Sequence, residues 1–148
     1  MSKILTSKIQ EILEGDIDTS VSPDIGRAKW TRAYAKALGI DEAVIDKVRI
    51  SGSETTGYRV LVGDQTVFFG KNLLIQDDLT VTCGSLKGAG EIVQKYRPKS
   101  VTACISHLPT AKGAITNLRE SGMVNTLVVS NSHYNALRDA KELSLIHI

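Results

Sequence analysis

Apolar residues recur at helical spacing in two places near the start of the chain. Ile4, Ile9, Ile12 and Leu13 stand among Lys, Gln and Glu and predict an amphipathic helix over residues 2–14 that stops at Gly15. Trp30, Ala33, Tyr34, Ala37 and Leu38 share one face of a second predicted helix over 26–38, with Gly39 as its C-terminal stop. Trp30 and Tyr34 are expected in the core rather than as a base-stacking platform. Between the helices, residues 19–22 are short and β-leaning, and Pro23 ends them. Residues 43–47 predict a brief apolar strand. Residues 49–57, rich in Ser, Thr and Gly with no period, predict a mobile loop, and 58–63 a further strand. After a turn at Gly70-Lys71-Asn72, the run Leu73-Leu74-Ile75 is continuously apolar, as strands buried on both faces are. A helix over 85–96, a strand over 100–106, a helix over 111–119 and a strand over 126–129 complete the pattern.

Strands alternating with helices predict an α/β fold, a right-handed parallel sheet with helices on both faces. Ligands in such sheets sit beyond the carboxyl ends of the strands. Attention therefore falls on four junctions, at residues 22–24, 46–49, 77–85 and 106–107. His107 could meet a ligand or simply close the core edge, and it is assigned no catalytic role.

Composition narrows the class without naming a chemistry. At 148 residues the chain can bury one full core, and 42% hydrophobic with 23% charged residues excludes a disordered or fibrous protein. The net charge of +2 includes no single-sign block, so nucleic acid is not an expected partner. Cys83 and Cys104 form no CxxC spacing and read as partly buried thiols of a reducing compartment. No apolar run approaches the ~20 residues of a membrane span, and the start lacks a signal peptide's apolar segment. The expected setting is cytoplasmic, with no membrane partner.

The segment from Leu73 to Leu86 carries the most chemistry. A buried strand ends in Asp77 and Asp78, and a Thr/Gly/Ser turn then opens a helix whose first-turn N–H groups lack intrahelical acceptors. The Thr82 and Ser85 hydroxyls and the N–H groups around Cys83 and Gly84 can surround a phosphate monoester, Gly84 allowing close backbone approach. Asp77 and Asp78 can accept hydrogen bonds from vicinal sugar hydroxyls or hold a hydrated Mg²⁺. A sugar phosphate satisfies both features.

This segment resembles the ribose-phosphate motif of the type I phosphoribosyltransferases. Ser22-Pro23-Asp24-Ile25-Gly26, Lys47-Val48-Arg49, Val62-Gly63-Asp64 and Ser106-His107 further resemble the ribose-phosphate diphosphokinases (phosphoribosyl pyrophosphate synthetases), in order and spacing over about residues 19–131. The resemblance implies a phosphoribosyltransferase-like (Rossmann-like) domain that acts on ribose 5-phosphate with ATP as co-substrate and Mg²⁺. It implies Lys47 and Arg49 as the catalytic basic pair, Asp24 as a Mg²⁺ ligand, and Asp77, Asp78 and residues 82–85 (Thr82, Cys83, Gly84, Ser85) as the ribose-phosphate contacts. It also implies a homo-oligomer.

Departures from the family pattern are visible as well. Val81 stands where the loop normally begins with Asp, and Arg27 replaces a second glycine after Pro-Asp-x-Gly. The matched region corresponds to the C-terminal half of the family. Residues 1–15 are accordingly expected to end a preceding domain, 16–142 to form the phosphoribosyltransferase-like domain, and 143–148 to be the translation of a sequencing-library adapter. The fragment is expected to be inactive by itself. Two alternatives stay open: a non-catalytic, synthetase-associated regulatory or binding subunit, and a phosphoribosyltransferase.

Overall fold

The structure, a computed structural model, describes Ile9, Glu11 and residues 17–49, 56–107, 113–129 and 146–147. Most of the helix predicted over 2–14 lies outside the described residues, although Ile9 and Glu11 are helical. The elements run β1 (Thr19–Ser22), a 3₁₀ turn (Ile25–Arg27), α1 (Ala28–Leu38), β2 (Asp41–Arg49), β3 (Thr56–Val62), α2 (Gln65–Phe68), β4 (Asn72–Leu79), α3 (Gly84–Gln94), β5 (Ser100–His107), α4 (Ala114–Ser121), β6 (Thr126–Val129) and β7 (Ile146–His147). They build one sheet in the order β3-β2-β1-β4-β5-β6-β7. β7, inside the stretch expected to be adapter-derived, pairs parallel with β6.

The five strands β2, β1, β4, β5 and β6 are mutually parallel, as the alternation of strands and helices predicts. β3 corrects the parallel expectation, since it returns antiparallel along β2 with Lys47 opposite Tyr58 and Arg49 opposite Thr56. The loop predicted over 49–57 is correspondingly shorter: Arg49, Thr56 and Gly57 belong to the two strands, and residues 50–55 lie outside the described residues. Asp18 ties the sheet's N-terminal edge together. Its carboxylate accepts the Asn72 N–H at 2.8 Å, and its own backbone bonds to Asn72 and Asp41.

Leu73, Leu74 and Ile75 are essentially inaccessible and alternate between two cores, so the continuous apolar run is buried on both faces as predicted. Each such side chain contributes about 1.5–3 kcal/mol by leaving water. The larger core packs Leu73 and Ile75 with Phe68, Leu86, Val93, Ile115 and Leu118 from α2, α3 and α4. The smaller packs Leu74 with Ile9, Ile17, Tyr34, Cys104 and Val128. Helices therefore cover both faces. Gly88 makes room for Tyr58 of β3 against α3: a Cβ built there would overlap the hydroxyl end of the Tyr58 ring.

The α1 face needs correcting. Thr31, Tyr34 and Ala35 are buried, whereas Trp30 is 57% exposed and Ala33 and Ala37 face solvent. Small Thr31 and Ala35 let the helix lie close to the sheet, which leaves the indole outside. Gly39 ends α1 in the left-handed conformation at φ 68°, as its position predicts.

Candidate functional site

Among the parallel strands, β1 sits between β2 and β4, so the chain leaves β1 toward one side of the sheet and later returns on the other. That reversal makes the carboxyl edge between β1 and β4 the topological switch point, where open α/β sheets hold ligands. The turn after β1 carries Asp24, and the end of β4 carries Asp77 and Asp78. The loop to α3 carries residues 80–83. Two of the four junctions picked out from sequence, 22–24 and 77–85, thus meet at one edge.

The turn after β1 is tightly specified. The Ser22 hydroxyl donates to the Asp24 carbonyl at 2.6 Å, and Asp24 Oδ1 accepts the Arg27 N–H at 3.0 Å, capping the 3₁₀ turn. Gly26 fits because a Cβ there would stand 3.1 Å from Asp24 Oδ1. The capped turn aims Arg27 across the switch point: its Nη2 pairs with Asp78 Oδ2, and its Nε lies 3.8 Å from Asp77 Oδ1. Side-chain exposure grades from 8% at Asp77 through 30% at Arg27 to 47% at Asp78. Asp77 Oδ1 also accepts the Asp78 N–H at 2.8 Å.

The loop after β4 is organised by hydroxyls. Buried Thr80 accepts the Cys83 N–H on its Oγ1 at 3.1 Å, and Thr82 Oγ1 accepts the Gly84 N–H at 3.3 Å. These bonds revise the expectation that the Cys83 and Gly84 N–H groups await a phosphate, because in this state both donate within the loop. They hold Cys83 in a left-handed conformation, φ 60°, with its thiol turned into the core. Burial pushes that thiol's pKa up against the opposing Thr80 hydrogen bond, and burial alone pushes Cys104 up to about 12. Both cysteines are free and buried, more deeply than the sequence predicts. Thr82 is exposed and Ser85 half-buried, and a cleft of about 430 Å³ opens beside Thr82, Cys83 and Gly84, with Lys87 and Asn117 on its walls.

Lys47 and Arg49 stand on the same carboxyl edge but farther out. Ser22, the last residue of β1, is level with Val44, so β2 carries Lys47 three and Arg49 five residues beyond it. Lys47 is exposed there, and its neighbour Asp46 pairs with Arg59 across the hairpin at 2.8 Å. Among the described residues no three side chains of His, Cys, Asp or Glu come together to hold a metal.

Sequence reasoning missed two participants. Thr80 carried a legible signal, a hydroxyl three residues ahead of a helix-opening turn. Arg27 stood out only as a departure from a pattern; its carboxylate partners are 50 residues away in the chain, and no local spacing could supply them.

No protein-family model matches the chain. Ribose-phosphate pyrophosphokinase 3 of Saccharomyces cerevisiae is 40% identical over 101 residues, which cover 68% of this chain and 30% of the relative. The chain spans about a third of the length of the curated relatives it matches. The phosphoribosylpyrophosphate synthetase of Mycobacterium smegmatis superposes with a TM-score of 0.77 at 27% identity, covering 99% of this chain and 46% of that one. An adenine phosphoribosyltransferase, APRTase of Giardia lamblia, shares the fold at 13% identity and a TM-score of 0.63, over 87% of this chain and 78% of its own.

Proposed function

We propose that this chain, a relative of the ribose-phosphate pyrophosphokinases in sequence and in its phosphoribosyltransferase-like α/β fold, forms the ribose-phosphate-holding part of such an enzyme. The reaction is transfer of the diphosphoryl group of ATP to the anomeric hydroxyl of ribose 5-phosphate. The anomeric oxygen bonds to the β-phosphorus, the bridging α–β bond breaks, AMP leaves, and the hydroxyl proton is released. The observation that carries the reading is the convergence of the Asp24 turn, the Asp77–Asp78 pair and the 82–85 loop at the β1/β4 switch point.

Each group has a role its chemistry suits. Asp77 and Asp78 accept hydrogen bonds from the vicinal ribose hydroxyls. Thr82 and Ser85 donate to the 5-phosphate, joined by first-turn N–H groups of α3 beyond Gly84 and the positive end of its dipole. Lys47 and Arg49, on the overhanging β2–β3 hairpin, close over the phosphates in transfer and offset their charge. Asp24 would supply a carboxylate to Mg²⁺, an ion that needs only one or two from the protein, and the ion would neutralise charge on the ATP phosphates. The complete enzyme is proposed to be a cytoplasmic homo-oligomer.

A chimera tests this reading. Grafting the chain in place of the aligned segment of the yeast relative is expected to give Mg-ATP-dependent phosphoribosyl pyrophosphate formation that Lys47→Ala abolishes. A folded chimera that binds ribose 5-phosphate without turnover overturns the catalytic part.

A second reading is favoured by one observation. Arg27 already occupies the acids that ribose hydroxyls would use, as suits a synthetase-associated regulatory subunit. Such a subunit would co-purify with an active synthetase and show no turnover in the chimera.

A further inference from the structure

Arg27 is a cation built onto an acidic pair, at the edge where the proposed function seats a sugar. Three features make its position more than a chance surface contact. Its backbone is fixed by the Asp24 cap, through the 3.0 Å bond to Oδ1. Its side chain spans both acids rather than one. And Asp77, the inner acid, is nearly excluded from solvent, so water screens a cation beside it less than it would at an open surface.

We propose that Arg27 is a built-in competitor for the sugar hydroxyls at Asp77 and Asp78, so that a ligand carrying a vicinal diol binds only after displacing the guanidinium. This inference rests on the ribose-phosphate reading and adds to it a residue that sets ligand selectivity. A carboxylate oxygen directs the same lone pairs to a hydroxyl or to a guanidinium, and the charged donor makes the stronger bond. The partly exposed Arg27 side chain can swing into solvent. Displacement therefore lowers the apparent affinity for the diol by the fraction of molecules in which the acids are uncovered. A phosphate with no sugar lands on the 82–85 loop and meets no such obstacle. The chain thus prefers ribose 5-phosphate over inorganic phosphate less than its two carboxylates would allow.

The test is calorimetric titration of the 148-residue chain and its Arg27→Ala and Arg27→Gln variants with ribose 5-phosphate and with inorganic phosphate. The expected result is a gain of about fivefold or more in ribose 5-phosphate affinity in both variants, with phosphate affinity unchanged within about twofold. Unchanged or weaker ribose 5-phosphate binding, with phosphate binding intact, overturns the competitor role while leaving the ribose-phosphate reading in place. Failure of the unaltered chain and both variants to bind either ligand overturns both. Should the variants fold poorly, the Arg27 Nε–H resonance of the unaltered chain provides the second readout. It is expected to move to a solvent-exposed position on saturation with ribose 5-phosphate, and a resonance that stays put contradicts displacement.

Discussion

Arg27 and Asp78 face each other beyond the carboxyl ends of the paired strands β1 and β4 and pair through Nη2 and Oδ2, with Asp77 behind them 3.8 Å from Nε. The two acids are adjacent in sequence yet unequal in setting. Asp77 is nearly buried and also accepts the Asp78 N–H, whereas Asp78 is about half exposed. Asp77→Asn is therefore expected to cost about 1–3 kcal/mol, and Asp78→Asn less than about 1 kcal/mol. Urea denaturation of the two variants checks the order, and equal losses would show that burial does not separate the pair.

Thr80 acts on the loop rather than on a ligand. Replacing its hydroxyl by a methyl, Thr80→Val, removes the acceptor for the Cys83 N–H while nearly keeping volume, at a cost of about 1 kcal/mol or more because both groups are buried. Looser geometry at 82–85 is expected to weaken inorganic phosphate binding severalfold. A variant that loses stability but binds phosphate as before would confine Thr80 to a structural role.

Gly88 sets the distance between α3 and β3. Gly88→Ala drives a methyl into the Tyr58 ring and is expected to destabilise the fold by about 1–3 kcal/mol, although alanine is the better helix former. Thermal unfolding of the variant measures this directly. A raised midpoint would mean that the strand can retreat freely.

The cysteines make a pH prediction with a definite sign. Burial raises the Cys104 pKa from an ordinary 9.0 to about 12, so the folded state binds a proton that the unfolded state gives up first. That contribution to stability is fully present below about pH 9 and is lost as pH rises toward 12. Tyr34, raised to about 12 by burial and by Cys104 beside it, acts in the same direction from its ordinary 10.0. The unfolding midpoint is expected to fall between pH 9 and 11, less steeply in Cys104→Ala. At pH 8 neither Cys83 nor Cys104 is expected to react with a thiol reagent until denaturant is added.

Much of this structure was legible in the sequence. The short strands at 19–22 and 126–129 match their predicted bounds, because β-leaning residues there are closed by Pro23 or follow the left-handed Gly122 that ends α4. The Asp77–Ser85 segment announced itself because an apolar strand, two acids and a helix-opening turn are all local features. What escaped depends on distant partners or on too little chain. The four residues of α2 are too few to show a period; its start was written only in Asp64, whose carboxylate accepts the Thr66 N–H at 2.8 Å. The direction of β3 is absent from its apolar pattern, which reads alike parallel or antiparallel. On α1, alanines carry too little apolar area to mark a face, and the indole of Trp30 dominated a pattern that close packing by Thr31 and Ala35 overruled.

A ribose phosphate is proposed to sit at the β1/β4 switch point. The most direct measurement is an amide NMR titration of the chain with ribose 5-phosphate. Saturable shifts are expected at Asp77, Asp78 and Thr82 to Ser85, with Asp24 to Arg27 following as the guanidinium moves. Shifts confined to other edges of the sheet, or none at these residues at millimolar ligand, would contradict it.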